Sequence, residues 1–431
     1  MLEREVIPML ISFRFANFRS FKDETIFTME TDKIRDLKDL DTFERCNAEL
    51  LKCAIIYGRN ASGKSNLFMA FSKMREIVLR STEEEPKYRL EVDHFLLNEK
   101  NHETPVLFEL EFIIDDTTYK YGFEILNEEV HSEWLYRKEQ RYVNVFTRTS
   151  PDKESINISK KYEDGWKKYA DMTRRNTLFI SRMANLACDF AIKLRNYFFD
   201  FYIVTSDNLN DSDASTYVTQ RKENKESVVS FLRKAHVDIE DIKANPVSLR
   251  MPEILKKEIF SMISKDHSET DTNKFDTIVH EIKTIHGVYN ENNERTASVE
   301  FDLSKESKGT QKLFAFAKPI IETLRKGGIL LIDEFDTKLH PELTEYIVSL
   351  FNSINNNSKN AQLIAITHNP LLMDSKYIRR DQIWITDKDK CGASDLYRLT
   401  DFNIRKDKKL MKSYLLGQFG SVPDIDKDGV F

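Results

Sequence analysis

One segment of the chain has residue types and spacing that could bind a phosphate group. It reads Gly58-Arg59-Asn60-Ala61-Ser62-Gly63-Lys64-Ser65 and fits the pattern G-x-x-x-x-G-K-[ST]. The glycines allow backbone N–H groups to turn toward phosphate oxygens, and the N-terminus of the following helix adds a positive dipole end. Lys64 would reach the β- and γ-phosphates of ATP, and the Ser65 hydroxyl would bind Mg²⁺. The sequence therefore predicts an ATP and Mg²⁺ site, and the alternative is a glycine turn that only caps a helix.

A pair of carboxylates follows a short apolar run in the last third of the chain. Ile329–Ile332 is of the buried-strand type, and Asp333-Glu334 comes directly after it. At a strand end, Asp333 is suited to hold Mg²⁺ through a water molecule, and Glu334 is suited to polarise the water that attacks a phosphate. Taken alone, this pattern is also that of an ordinary strand end, so its interpretation depends on the motifs around it.

The spacing between these motifs indicates which class of phosphate-loop protein the chain resembles. Lys64 and Asp333 are 269 residues apart (333 − 64), much farther than in a compact GTPase or kinase core. The segment 306–311 lies shortly before Asp333, and Thr367-His368 follows the next apolar run. The order of phosphate loop, signature, acidic strand and switch histidine is similar to that of an ABC-type ATPase. A large segment must therefore be inserted between two halves of one site.

The elements that position these motifs indicate an α/β fold. Residues 53–57 form an apolar run before the phosphate loop, and Leu67, Ala70, Phe71 and Met74 follow it at helical spacing. Strand, helix and strand alternate again in the last third of the chain, with continuous apolar strands. This pattern predicts a parallel sheet whose strand ends carry the motifs.

The periodicity of the sequence divides the chain into four segments. Alternation with period two over 86–160 predicts an antiparallel β layer, and a helical period dominates from about 161. The predicted fold is a P-loop NTPase of ABC-ATPase type, with a split head, an antiparallel β layer and a helical insertion. The predicted segments are 1–160 for the N-terminal ATPase lobe, 161–300 for the mainly helical insertion, 301–400 for the C-terminal ATPase lobe and 401–431 for the tail.

Short motifs along nearly the whole chain match one group of ATPases. They are Asn17-Phe18-Arg19-Ser20-Phe21, Gly63-Lys64-Ser65-Asn66, residues 306–314, Asp333-Glu334, Leu339-His340-Pro341, Thr367-His368-Asn369, and the tail through Tyr414, Gly417, Phe419, Gly420 and Pro423. With these motifs the chain resembles the SMC/RecF-like, ABC-type branch of bacterial AAA ATPases found in anti-phage and abortive-infection loci. Relatives in that branch include ATPases paired with RloB-like proteins and the AriA-type ATPase of PARIS systems.

The resemblance implies roles for residues beyond the phosphate loop. Asn66 joins the loop in binding the nucleotide, and Ser307 and Gly309 contact the γ-phosphate of ATP held by a second subunit. His368 is implied as the switch residue on the γ-phosphate and, with Glu334, as a catalytic residue. The alternatives are a helix N-cap for Ser307 and a structural role for His368. The residue of the Q-loop, a usual metal contact, stays unassigned.

Composition excludes several classes of protein. Lys and Arg number 65 against 71 Asp and Glu, a net charge of −6, so the whole molecule is not built as a polycationic nucleic-acid binder. No apolar run approaches the roughly 18 residues that a membrane span requires, and the four cysteines show no C-x-x-C spacing. A cytoplasmic protein without a membrane segment is the expectation.

Three functions follow as predictions, of which the third is a scaffold that ATP holds together without being hydrolysed. The first is an ATP-binding and ATP-hydrolysing switch that acts as a sensor or regulator in anti-phage defence and works as a homodimer or higher homo-oligomer. Only about 30 residues follow the last predicted strand, too few for a fused nuclease domain, so a separate effector protein is expected, with nucleic acid or a phage protein as the trigger. The alternative is an SMC/RecF-like ATPase of DNA repair or DNA clamping, which salt-dependent, ATP-stimulated duplex binding would distinguish.

Overall fold

The computed structural model describes residues 8–32, 34, 41–83, 89–205, 209, 211–249, 277–402, 404 and 408–420. The chain divides into two compact units. The first unit comprises Met1–Ser206 and Glu322–Phe431, and the second comprises Asp207–Ile321. These bounds differ from the segment boundaries at 160 and 300 that periodicity predicts. The reason is that helices near residues 163–199 pack within the first unit.

The described residues form eighteen strands. In chain order they are β1 Met9–Ala16, β2 Thr25–Thr28, β3 Thr42–Arg45, β4 Ala48–Leu51, β5 Cys53–Gly58, β6 Val106–Ile114, β7 Thr117–Leu126, β8 Glu129–Lys138, β9 Tyr142–Arg148, β10 Ile156–Ile158, β11 Phe201–Val204, β12 Asp241–Leu249, β13 Thr277–Tyr289, β14 Arg295–Asp302, β15 Ile329–Ile332, β16 Gln362–Ile366, β17 Ile383–Lys388 and β18 Ser394–Arg398.

Nine α-helices lie among the described residues. They are α1 Lys64–Arg80, α2 Glu163–Asp171, α3 Phe179–Asn185, α4 Asp189–Phe199, α5 Asp211–Gln220, α6 Lys222–Lys234, α7 Lys308–Lys326, α8 Pro341–Asn352 and α9 Leu410–Leu415. None of the helices in the described ranges combines the length and the apolar character that crossing a bilayer demands.

The first unit contains a six-stranded sheet with the order β11-β15-β16-β5-β17-β18. Its first five strands are parallel and only β18 runs antiparallel. The residues of β5, β15 and β16 are buried, as expected for strands covered on both faces. This sheet confirms the α/β fold class and the parallel strands predicted from the apolar runs.

A second sheet of the first unit is antiparallel, with the order β10-β9-β8-β7-β6-β1-β2. It agrees with the β layer predicted from alternation over 86–160. The core of this unit joins both sheets and α1. Phe71 of α1 contacts Phe13 of β1 at a ring-centroid distance of 4.0 Å, and Phe27 of β2 contacts Trp384 of β17 directly at 5.1 Å. Burial of Leu67, Phe71 and Met74 gives α1 the apolar face that its sequence predicts.

The second unit combines two helices and a three-stranded antiparallel sheet. Helices α5 and α6 precede the sheet, which has the order β12-β13-β14. Helical structure is therefore present within 161–300, but strands occupy 241–249 and 277–302. In β13, Ile282 and Thr284 are buried at a spacing of two, which is a strand period.

Candidate functional site

Strand order in the parallel sheet brings the predicted motifs to one edge. Strands β15, β16 and β5 are neighbours, and their registers pair Ile332 with Ala365 and Ala365 with Ile55. Neighbouring strands lie about 4.8 Å apart, so the ends of β15 and β5 are roughly 10 Å apart. Because parallel strands end at the same edge, the carboxylates after β15, the histidine after β16 and the loop after β5 share that edge.

The loop between β5 and α1 has the geometry of an anion cradle. Helix α1 begins at Lys64, its N-cap Gly63 has a left-handed φ of 112°, and no side chain caps the first turn. The first turn also contains no acidic residue, so its N–H groups and positive dipole end are available to a phosphate. A Cβ on Gly63 would lie 2.9 Å from the Cβ of Ser394, and only glycine fits there. These residues fit the triphosphate of ATP.

Lys64 is held inside the loop rather than in solvent. Its side chain donates to the carbonyl oxygens of Gly58 at 2.7 Å and Arg59 at 3.0 Å, and the residue is 6% exposed. Burial lowers the pKa of Lys64 to about 8, while Asp333 and Asp336 act in the opposite direction. The structure therefore brings the lysine and the distant carboxylates into one electrostatic site.

We expect nucleotide affinity to fall as the pH rises through the Lys64 pKa. The pKa is lowered to about 8, so the ammonium is fully charged at pH 6.5 and is lost progressively above pH 8. Phosphates attract the charged form, and each unit of pH above the pKa should weaken binding by up to about tenfold. Titration of a fluorescent ATP analogue between pH 6.5 and 9.5 measures this, with Lys64→Arg as the control that keeps its charge. A flat profile for the unsubstituted protein would contradict the expectation.

The carboxylate pair lies where β15 ends. The Asp333 N–H donates to the carbonyl of Val204 at 2.8 Å, which continues the sheet, and the Asp333 carboxylate accepts the Glu334 N–H at 2.8 Å. Glu334 has a left-handed φ of 49°, its side chain is exposed, and Asp333 is half-buried. The turn therefore directs the two carboxylates differently, with Asp333 at the sheet edge and Glu334 toward solvent.

The residues at this edge also fit Mg²⁺. The described ranges contain no cluster of three or more His, Cys, Asp or Glu side chains that could cage a metal by themselves. Mg²⁺ is commonly held by one or two protein oxygens, together with phosphate oxygens and water. The exposed Ser65 hydroxyl at the start of α1 and the Asp333 carboxylate are oxygen ligands of that kind.

His368 follows β16 and belongs to the same cluster. Its backbone N–H donates to the Asp336 carboxylate at 3.1 Å. Desolvation lowers the pKa of the His368 imidazole, and the Lys64 ammonium acts in the same direction against Asp336, Glu334 and Asp333. The lowered pKa favours a neutral ring at neutral pH, which can accept or donate a hydrogen bond through either nitrogen.

Residues 53–374 match a protein family described as "AAA domain, putative AbiEii toxin, Type IV TA system". The match covers both halves of the site and most of the chain. The chain belongs to this AAA family. No curated protein matches the sequence at a significant level.

Solved structures similar to this AAA chain are remote in sequence. The SMC head domain from Thermotoga maritima is 14% identical, with a TM-score of 0.40, and the match covers 90% of this chain and 98% of that one. The Smc head domain with an extended coiled coil bound to the C-terminal domain of ScpA, derived from Pyrococcus furiosus, is 14% identical with a TM-score of 0.40 and coverages of 91% and 97%. The recombination mediator protein RecF with ATP is 14% identical, with a TM-score of 0.36 and coverages of 92% and 100%.

The structure adds contacts to the AAA site that the motifs do not reveal. The Ser62 hydroxyl lies 2.5 Å from the Thr386 hydroxyl on the neighbouring β17. Asn66 donates to the Ser20 hydroxyl at 2.7 Å, and Ser20 belongs to the N-terminal motif. Asp336, three residues after Asp333, joins Lys64 and His368 electrostatically. Ser20 lies in the N-terminal motif and Asp336 repeats the acidic pattern at the strand end, whereas Thr386 has no sequence signal.

The signature residues Ser307 and Gly309 lie in the second unit. The Ser307 hydroxyl accepts the Thr310 N–H at 3.1 Å, which is the N-cap contact of α7. The side chain of Ser307 is exposed, and Gly309 lies in the first turn of the helix. Ser307 thus has the N-cap role that the sequence offers as the alternative to a nucleotide contact.

Proposed function

We propose that the chain is an ATP-hydrolysing molecular switch that requires Mg²⁺. The observation that carries the proposal is that Lys64 meets Asp333, Glu334 and His368 at one sheet edge, although more than half of the chain separates Lys64 from the other three. A cradle of N–H groups, a buried cation, the half-buried carboxylate of Asp333 and the exposed carboxylate of Glu334 are the parts that hydrolysis of a phosphoanhydride bond requires. Membership of an AAA family supports the same chemistry.

The residues have distinct proposed roles. Residues Gly58 through Asn66 bind the phosphates, with Lys64 supplying the charge, and Ser65 and Asp333 hold Mg²⁺. When bound, Mg²⁺ would neutralise charge on the phosphate oxygens. Glu334 accepts a proton from the attacking water, and its exposed carboxylate is suited to this because it faces solvent. His368 hydrogen-bonds the γ-phosphate and reports its presence.

The proposed catalytic unit is a homodimer in which each copy completes the site of the other. The groups available for this are the Ser307 hydroxyl, the Gly309 N–H and the start of α7, all of which suit a γ-phosphate. The segment Leu339-His340-Pro341 is proposed to face the second copy. Its His340 caps α8 by accepting the Glu342 N–H at 3.3 Å, which fixes the start of the helix.

Mixing two inactive variants tests the shared site. Lys64→Ala damages the phosphate loop, and Ser307→Arg places a bulky cation where the second copy would bind the γ-phosphate. In a mixed dimer one site combines the two undamaged surfaces, so a one-to-one mixture should recover roughly a quarter of the unsubstituted rate of phosphate release. Each variant alone serves as the control. A mixture that stays as inactive as its components would contradict the shared site.

The biological role that we propose is sensing or regulation in bacterial anti-phage defence, in the cytoplasm, through a separately encoded effector. The support is the motif resemblance to ATPases of such loci and a family description that includes a putative toxin of a type IV toxin–antitoxin system. The trigger would be a nucleic acid or a phage protein. Purification of the chain from cells that express its native locus should yield a second protein, and recovery of the chain alone in every preparation would count against an effector.

A further inference from the structure

The segment 408–420 packs beside the phosphate loop, although no proposed catalytic role uses it. Two contacts fix its ends in the first unit. The Leu410 N–H at the start of α9 donates to the Asp374 carboxylate at 2.8 Å, and the Tyr397 hydroxyl donates to the Phe419 carbonyl at 2.6 Å. The Phe419 side chain is 2% exposed and packs on Phe402 at a centroid distance of 5.5 Å. The segment is therefore anchored on both sides of α9.

Tyr414 of α9 contacts the strand that leads into the loop. Its ring centroid lies 5.7 Å from that of Tyr57, a fully buried residue of β5. Its hydroxyl oxygen accepts a hydrogen bond from the backbone N–H of Gly58, which opposes the larger effect of burial in raising the pKa of Tyr414. Gly58 is the first residue of the phosphate loop, and its carbonyl accepts the Lys64 ammonium at 2.7 Å. A path of two hydrogen bonds thus connects Tyr414, Gly58 and Lys64.

The turn after α9 contacts the loop by a second route. Gly420 has a left-handed φ of 70°, and a Cβ at this position would lie 2.8 Å from the Asp387 carboxylate. Asp387 in turn pairs with Arg59, the second residue of the loop, at 3.4 Å, and Arg59 donates to the Lys388 carbonyl at 2.9 Å. The first two residues of the loop are therefore each linked to the segment 408–420.

We propose that the segment 408–420 is part of the nucleotide site and that Tyr414 is a positioning residue that fixes Gly58 for phosphate binding. This inference rests on the proposed function, because it concerns the same ATP site. Gly58 is buried, so its N–H has no access to solvent when the Tyr414 hydroxyl is removed. The phosphate loop would then change its conformation so that the Gly58 N–H finds another hydrogen-bond acceptor. The Gly58 carbonyl, which accepts from the Lys64 ammonium, would be displaced in the same change.

The test compares Tyr414→Phe with Tyr289→Phe, which removes a hydroxyl from an exposed position on β13. For Tyr414→Phe we expect binding of a fluorescent ATP analogue to weaken about tenfold, the size of effect that an unsatisfied buried N–H produces. Because the loop would bind ground state and transition state equally poorly, KM for ATP should rise by a similar factor while kcat stays within about twofold. Tyr289→Phe should leave both unchanged.

Hydrogen–deuterium exchange supplies a readout that does not depend on nucleotide. In Tyr414→Phe, the peptide containing Gly58 should exchange faster, while peptides from β6 and β7 should exchange as in the unsubstituted protein. Equal nucleotide affinity and equal exchange at Gly58 in the two proteins would overturn the inference and leave the proposed function intact. A uniform rise in exchange would show a merely structural role and would also overturn it. If the unsubstituted protein bound no nucleotide, the proposed function would fail and this inference with it.

Discussion

Glu334→Gln is expected to stop ATP turnover while leaving ATP binding intact. Glutamine has the shape of glutamate but cannot accept the proton of the attacking water, so phosphate release should fall by about 10²- to 10⁴-fold. The side chain is exposed and glutamine keeps its length and shape, so folding should be unaffected. Steady-state phosphate release and equilibrium binding of an ATP analogue, measured on the same preparation, separate the two effects.

The same variant should accumulate as a closed dimer or higher oligomer in the presence of ATP. Hydrolysis is the step that would open the proposed dimer, so an enzyme that binds but does not hydrolyse remains closed. Light scattering with ATP and Mg²⁺ should show the increased mass, and EDTA should reverse it. Glu342→Gln, an exposed glutamate on the nearby α8, is the matched control and should behave like the unsubstituted protein. Turnover by Glu334→Gln within about threefold of the unsubstituted rate would refute its role as the base.

Lys64→Ala is expected to abolish nucleotide binding, with a loss of about a hundredfold or more in affinity. The substitution removes the buried cation of the loop and its two hydrogen bonds to Gly58 and Arg59. A charge-assisted hydrogen bond to phosphate contributes about 1.5–3 kcal/mol, and the loss of loop organisation adds to it. Isothermal titration with ATP and Mg²⁺ measures the affinity directly.

Lys73→Ala is the control for the loss of a positive charge, because Lys73 lies on the same helix and pairs with Glu76 outside the loop. It should bind nucleotide normally. In cells that carry the native locus, Lys64→Ala should also remove protection against phage, as scored by plaque formation. Protection that persists with Lys64→Ala would contradict the ATP-dependent defence role, and nucleotide binding that persists would contradict the site itself.

The parts of the site that could be predicted are those in which one short pattern fixes both the chemistry and the local structure. The loop from Gly58 to Ser65 could be placed between a strand and a helix because an apolar run precedes it and apolar residues at helical spacing follow it. The position of Asp333 follows from a continuous apolar strand before it. Parallel strands then bring these sites together through topology alone, which is why sequence motifs 269 residues apart (333 − 64) could be assigned to one edge.

The contacts that escaped prediction join residues with no local signal. Thr386 lies beside Ser62, and Tyr414 beside Gly58, only because β17 and α9 pack next to β5. A threonine in a strand and a tyrosine in a short helix are common residues in common positions. The segment 161–300, predicted to be mainly helical, also contains strands, since alternation in β13 over Ile282 and Thr284 competes with the helical period of the preceding segment.

The left-handed backbone conformation of Glu334 lowers the stability of the fold at a residue that the proposed reaction needs. A glutamate with φ near 49° carries a conformational cost of about 1 kcal/mol or more, which a glycine at this position would avoid. A glycine would, however, lack the carboxylate that the proposed reaction needs. Substitution by glycine at this position would therefore stabilise the fold but abolish the proposed hydrolysis. Selection for greater heat resistance could not use this substitution without losing activity.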